Sequence, residues 1–309
     1  MAKLLRLSVS PHIHSGRSTA GIMRDVIIAL LPAAIAGTVI FGLRALLVMG
    51  VCVASCVLIE ALFNIVTKKE QTIGDLSAAL TGLLLAFNLP AGIPIWQCVM
   101  GSIFAIVIVK CLFGGIGFNL VNPAITARVF MIVAFGSMAV QSYPVIVDTV
   151  AGATPLAEIA SGNMPKLTDL LLGLHGGAIG ETCALALLIG FVYLLVRRVI
   201  SWHIPVSLVG TIYVLSLFME GFDFMRALAL VLSGGLLLGA IFMATDYVTS
   251  PTTPAGKIIF GVGVGVLTFL IRYFGVYPEG VSFAILFMNI LTPYIDSWTA
   301  HKVFGGKKS

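Results

Sequence analysis

The stretch LLVMGVCVASCVLIEALFNIV, residues 46–66, decides the fold class. It holds a single charged side chain, Glu60. A bilayer-crossing helix takes about 20 predominantly apolar residues, and this run has that length and that polarity. Just before it, residues 22–43 read IMRDVIIALLPAAIAGTVIFGL, a second such run with its charges at the front. Outward from these two, further apolar runs cover 76–88, 95–112, 123–140, 182–196, 205–219, 228–243, 258–271 and 281–294. Of 309 residues, 59% are hydrophobic and 10% charged. Soluble domains carry about 25% charged residues, so water is not the main solvent of this surface. The reading is an all-α integral membrane protein with about ten transmembrane helices. Runs 76–88 and 228–243 are short and contain Gly, Ser or Thr. Such segments predict broken or re-entrant helices, stable where protein or a cavity covers the backbone.

The net charge of +5 does not indicate nucleic-acid binding. Its basic residues sit at the ends of apolar runs, where they set orientation, and form no patch with interleaved aromatics. Placing Lys3, Arg6, Arg17, Lys68, Lys69, Arg197, Arg198, Lys302, Lys307 and Lys308 on one side puts both termini in the cytoplasm. Loops 89–94 and 220–226 are then external and poor in basic residues, while Arg44 and Arg272 break the rule. The polar start lacks the short apolar core of a cleaved signal, so it is expected to be retained. Five cysteines, Cys52, Cys56, Cys98, Cys111 and Cys183, form no CxxC pair and read as buried thiols rather than as a cluster or disulfide set.

The chain divides into a cytoplasmic segment 1–21, a membrane half 22–140, an external loop 141–181, a second membrane half 182–297 and a cytoplasmic tail 298–309. A connection of about forty residues is far longer than the usual linker and is a natural place for a site. The halves share a faint repeat. Leu80-Thr81-Gly82-Leu83-Leu84-Leu85 matches Leu232-Ser233-Gly234-Gly235-Leu236-Leu237-Leu238, Leu89-Pro90-Ala91-Gly92 matches Thr253-Pro254-Ala255-Gly256, and Asn122-Pro123 matches Tyr277-Pro278. Five segments per half is an odd number, so the second half enters from the opposite side. That is the inverted-repeat arrangement of transporter folds; shared Gly/Leu composition is the alternative.

Within the loop, Asp148-Thr149-Val150-Ala151-Gly152-Ala153-Thr154-Pro155-Leu156 is the most specific short string. Gly152 and Ala153 admit close approach of a planar ligand. Pro155 restricts Thr154 to an extended conformation, which presents its hydroxyl. Asp148 is placed to accept a hydrogen bond or bring a metal to a phosphate. Spacing alone fits a turn without chemistry as well. This string resembles the flavinylation motif of the RnfD and NqrB families, membrane subunits of the ferredoxin:NAD+ oxidoreductase (Rnf) and of the sodium-pumping NADH:quinone oxidoreductase. Ala151 stands where many members have serine. Ser10-Pro11-His12-Ile13-His14-Ser15, residues 80–90, Phe118-Asn119-Leu120-Val121-Asn122-Pro123-Ala124, Gly180-Glu181-Thr182, Trp202-His203-Ile204-Pro205-Val206 and Ala244-Thr245-Asp246 extend the resemblance along the chain. The length resembles RnfD more than NqrB.

The resemblance implies a urea-channel-like architecture and FMN joined through its phosphate to Thr154, with Asp148, Gly152 and Ala153 around it. A second, non-covalent riboflavin is possible by analogy with NqrB. It further implies electron transfer from reduced ferredoxin toward NAD+, outward movement of Na+ or H+, and residence in a prokaryotic cell membrane. The implied partners are RnfA, RnfB, RnfC, RnfE and RnfG, a flavin transferase that loads the cofactor from FAD, and membrane lipid, without nucleic acid. The rival readings are a urea-transporter-like solute channel without a redox cofactor, and a structural scaffold for other subunits. No catalytic residue and no metal ligand is assigned. Glu60, Lys110 and Arg128 lie in or near apolar runs, where ionisable groups are costly and often functional; Lys110 and Arg128 are expected to snorkel to the cytoplasmic interface. Asp246 reads equally as a cation ligand or a cap, Glu181 as a charge favouring a helix N-terminus, and His12 and His14 as solvated.

Overall fold

The computed structural model describes residues 18–136, 142–145, 154–275 and 280–300. Among these residues the structure is helical, with an isolated antiparallel bridge between Ser142 and Gly177 as its sole β pairing. The first half comprises α1 (Thr19–Phe41), α2 (Leu43–Val66), α3 (Ser77–Phe87), α4 (Ile95–Ile103) and α5 (Pro123–Ala134). Beyond Ile103, α4 continues as π-helical turns, Phe104–Cys111. Two short helices, α6 (Pro155–Ala160) and α7 (Leu167–Leu172), lie in the long connection. The second half comprises α8 (Ala184–Val196), α9 (His203–Met219), α10 (Phe224–Leu232), α11 (Leu236–Leu238), α12 (Pro254–Phe274) and α13 (Val281–Thr299). Gly239–Met243 prolongs α11 as a π-helical turn.

Local chemistry explains the starts of these helices. Asn122, Thr253 and Asp223 cap α5, α12 and α10, each accepting from backbone N–H groups of the first turn. Pro123 and Pro254 follow as first helical residues, where a missing N–H costs nothing. The turn from α1 into α2 is the single residue Gly42, at φ +75°. That left-handed backbone suits glycine.

Helices α1, α2 and α12, at 23, 24 and 21 residues, are long and apolar enough to cross a membrane. The pair α10 and α11 passes the same test as a unit and is bent by 67° at its break, which realises the predicted interruption within 228–243. Helix α3, at 11 residues, rises only about 16 Å, half of the hydrocarbon thickness. Large apolar side chains such as Val39, Leu62, Val192 and Phe218 point outward, as a lipid-facing surface requires. The protein is thus a helical membrane protein.

Close crossings use glycine. A Cβ on Gly82 of α3 would lie 2.6 Å from the Cys52 carbonyl oxygen of α2, and one on Gly265 of α12 would lie 3.0 Å from the Leu208 oxygen of α9. Small residues let membrane helices approach backbone to backbone, where dispersion rather than water drives packing. Helices α1 and α8 pack against each other, as do α5 and α13, so the two halves meet along both. The matched repeat strings take different local forms: residues 80–85 lie inside α3, while 232–238 span the α10–α11 break. Tyr277 and Pro278 lie outside the described residues.

Candidate functional site

Thr154 is the N-cap of α6, extended at φ −66° and ψ 156°. Its Oγ1 accepts from the Ala157 N–H at 3.2 Å, and Pro155 opens the helix. Among the described residues no acceptor takes its hydroxyl proton, so the oxygen remains available for a bond. Asp148, Gly152 and Ala153 lie outside the described residues. Leu156 and Ile159 are buried and hold α6 down. Arg226 of α10 donates from Nη2 to the Ile159 carbonyl at 2.8 Å and pairs through Nε with Glu220 at 2.7 Å. Tyr273 of α12 donates to the other Glu220 oxygen at 2.8 Å. The Thr154 helix is therefore tied to the second membrane half by one arginine. Replacing Arg226 by alanine should speed trypsin cleavage after exposed Lys166 severalfold, measured in membranes opened to the protease on that face.

The loop then returns deep into the fold. Ile179 N donates to Leu89 O at 3.1 Å and Gly180 N to Phe87 O at 3.0 Å, stapling the loop to the end of α3. Burial pushes the His175 imidazole below its ordinary range, which keeps it neutral there.

The next residue, Glu181, is buried. Its Oε1 lies 2.5 Å from Nη1 of Arg128 on α5, and the same nitrogen donates to Asn88 Oδ1 at the end of α3. Asn88 Nδ2 donates to Leu84 O at 2.6 Å and approaches Met243 Sδ at 3.6 Å. Gly235, in the α10–α11 break, packs directly on this junction: a Cβ there would sit 2.5 Å from Glu181 Oε1. Snorkelling is thereby corrected. Arg128, 4% exposed, is pulled inward by a carboxylate and an amide rather than outward by water. Glu181 is its counter-ion, a role beyond favouring the start of α8.

Lys110, 3% exposed, does not snorkel either. Its Nζ donates to Glu60 Oε2 at 2.7 Å and to Ser77 Oγ at 2.5 Å. Thr72 donates to Glu60 Oε1 at 2.6 Å, and Ser77 donates in turn to Asp75 at 2.5 Å. A buried ion pair so fully hydrogen-bonded meets the condition under which burial of charge is tolerable. Both ends of α3 are thus held by buried cations, Lys110 at Ser77 and Arg128 at Asn88. Asp246 accepts from Thr249 Oγ1 at 3.1 Å in a local turn and does not cap α12, whose N-cap is Thr253. It also lines two small clefts between the halves, both shared with Leu80, Leu84 and Asn122.

The two arginines that break the charge rule are also spoken for. Arg44 donates to the carbonyls of Ala91 (3.3 Å) and Ile93 (3.4 Å) after α3. Arg272 donates to Leu230 O at 2.8 Å and Ser233 O at 3.1 Å, the carbonyls exposed where α10 breaks. Charged-donor bonds contribute about 1.5–3 kcal/mol. Arg272→Ala should lower stability by about 2 kcal/mol, seen as a lower unfolding midpoint in detergent, with Arg272→Lys in between.

The sequence points to Thr154, Glu181, Glu60, Lys110, Arg128 and Asp246, and among the described residues the structure joins Arg128 with Glu181 and Lys110 with Glu60. Missed as partners were Asn88, Ser77 and Gly235. Asn88 and Gly235 carry a faint signal, a polar residue beside Leu89-Pro90 and a paired glycine in an apolar run.

The sequence of residues 6–305 matches the NQR2, RnfD, RnfE family. This chain belongs to that family. It is 48% identical to the D component of the Na(+)-translocating ferredoxin:NAD(+) oxidoreductase complex of Acetobacterium woodii, over 98% of this chain and 96% of the relative. It is 39% identical to the D component of the proton-translocating ferredoxin:NAD(+) oxidoreductase complex of Clostridium ljungdahlii, over 99% and 97%. A relative in Shewanella amazonensis, the D component of an ion-translocating oxidoreductase complex, is 34% identical over 98% and 99%. Membership in the family places Thr154 and both buried ion pairs in a chain whose relatives are subunits of oxidoreductase complexes.

Proposed function

We propose that this chain is the RnfD component of an ion-translocating ferredoxin:NAD+ oxidoreductase complex and bears FMN on Thr154 Oγ1. The observation that carries the flavin is the state of that hydroxyl. It is extended, held at a helix start and anchored to the membrane half through Arg226, and among the described residues its proton has no acceptor, so the oxygen is placed to take a phosphoryl group as that proton leaves. When bound, the flavin supplies an electron station, and the protein supplies binding, orientation and electrostatics. Pro155 keeps Thr154 outside the helix, and Thr154 Oγ1 would be the atom that holds the flavin phosphate. Arg226, Glu220 and Tyr273 fix α6 on the ends of α10 and α12. Asp148, Gly152 and Ala153 complete the site in this reading.

The remaining parts of the proposal follow from kinship and charge. Electrons move from reduced ferredoxin toward NAD+ through partner subunits RnfA, RnfB, RnfC, RnfE and RnfG, and Na+ or H+ moves outward. A flavin transferase loads the chain. About ten membrane segments in two inverted halves, with both termini cytoplasmic, place Thr154 outside a prokaryotic cell membrane. Contacts of α1 with α8 and of α5 with α13 agree with paired halves. The clefts shared by Asp246, Leu80, Leu84 and Asn122 hold about 60 Å³ each and the cleft between Arg24 and Arg197 about 270 Å³; a second, riboflavin-type flavin rests on the resemblance to NqrB alone. A urea-type channel would leave the Thr154 string without a purpose.

Mass spectrometry of the Thr154 peptide from the assembled complex tests the flavin directly. The expected mass includes one FMN phosphoester, and an unmodified mass would overturn the reading. For the orientation, Cys placed at exposed Ser161 should react with an impermeant thiol reagent from outside intact cells; labelling only after lysis reverses the topology.

A further inference from the structure

At the contact of the two halves a chain of contacts links Asn122 to Glu181, bridged part-way by Met243. It starts in the clefts lined by Asp246 and Asn122, at the Ser77 end of α3. Asn122 Nδ2 donates to the Met243 carbonyl at 3.3 Å, and Met243 Sδ lies 3.6 Å from Asn88 Nδ2. Asn88 Oδ1 then accepts from Arg128, which holds Glu181 at 2.5 Å, at the root of the external loop. Leu84, which lines both clefts, is one helical turn from Asn88.

Apart from Arg128, which lies within α5, the groups on this line fall where a helix ends or breaks. Asn88 caps the end of α3, Asn122 starts α5, Met243 ends the π-helical turn, and Gly235 sits in the α10–α11 break. Such interruptions expose carbonyls at membrane depth and are where membrane proteins handle small ions. Two oxygens of different elements, Glu181 Oε1 and Asn88 Oδ1, converge on a single nitrogen, Nη1 of Arg128. A carboxylate and an amide oxygen so placed would suit a small monovalent cation; here a tethered guanidinium takes the position. Gly235 leaves no side chain that would substitute for it.

We infer that Arg128 is a plug: its guanidinium fills the position between Asn88 Oδ1 and Glu181 Oε1 where the two halves meet, and this contact leaks cations when the guanidinium is removed. A fixed arginine excludes cations from a pore in this way. The inference deepens the ion-translocating reading proposed above, but its readout needs neither flavin nor electron donor.

The test is passive flux in vesicles reconstituted with the assembled complex, without ferredoxin or NAD+. Entry of Na+ is followed with a sodium-sensitive dye and entry of H+ with trapped pyranine. Arg128→Met should raise the leak of one or both ions by about tenfold or more, whereas Arg128→Lys, which keeps the charge, should stay near wild type. Loss of a single partner leaves a buried charge, so the double variant Arg128→Met with Glu181→Gln guards against misfolding. It too should leak, with less preference for cations over anions. Tight vesicles with whichever of the two methionine variants assembles would overturn the plug. In-gel flavin fluorescence on the same samples reports separately on Thr154, so a colourless chain that leaks sinks the flavin reading and spares this one.

Discussion

Thr154→Ala should abolish covalent flavin completely: the denatured chain on a gel loses its fluorescence and its mass falls by one FMN phosphoester. Thr154→Ser should retain both, because it keeps the oxygen that forms the bond and accepts from Ala157 N. The alanine variant should still fold. It gives up one exposed N-cap, about 1 kcal/mol, at a helix of six residues. The complex should assemble and bind its partners while ferredoxin-driven NAD+ reduction stops. Fluorescence that persists in Thr154→Ala would move the flavin to another residue. Wild-type chain that is dark after co-expression with a flavin transferase would favour the channel or scaffold reading.

The second large effect concerns stability. Arg128→Ala or Glu181→Ala should each cost about 3–5 kcal/mol, because each leaves an uncompensated charge among buried groups. Removing both charges with residues of similar volume should recover most of that loss, since burying the pair carried its own desolvation cost. The double-mutant cycle, read from unfolding midpoints in detergent, should therefore be strongly non-additive. Additive losses would mean that the two side chains do not depend on each other. The same cycle at Glu60 and Lys110 should be less steep, because Thr72 and Ser77 stay behind as partners for whichever charge remains.

The membrane class was legible from residues 46–66 alone, since length and polarity of a run are local properties. The break in 228–243 was legible too: Ser233-Gly234-Gly235 weakens a helix by backbone entropy wherever it occurs. Lys110 and Arg128 were not legible. Alone, each looks like a long side chain able to reach water. Their acceptors lie 50 and 53 residues away, so only the packing of helices shows that an inward partner outcompetes the interface. Arg44 and Arg272 teach the same lesson. Their acceptors are backbone carbonyls at helix ends, which a charge count does not register. At Thr154, Pro155 foretold the extended backbone.

Helix α3 rises about 16 Å, half of the hydrocarbon thickness, so the protein between the clefts and the loop root is short along its axis. Leu84 faces the clefts, and Phe87 O receives the loop N–H of Gly180, about 4.5 Å further along the helix axis. If water fills the clefts, most of the membrane voltage falls across that short barrier rather than across the full lipid thickness. A charge displaced there by a few ångströms would then exchange much of the roughly 2.3 kcal/mol per 100 mV that a full crossing involves.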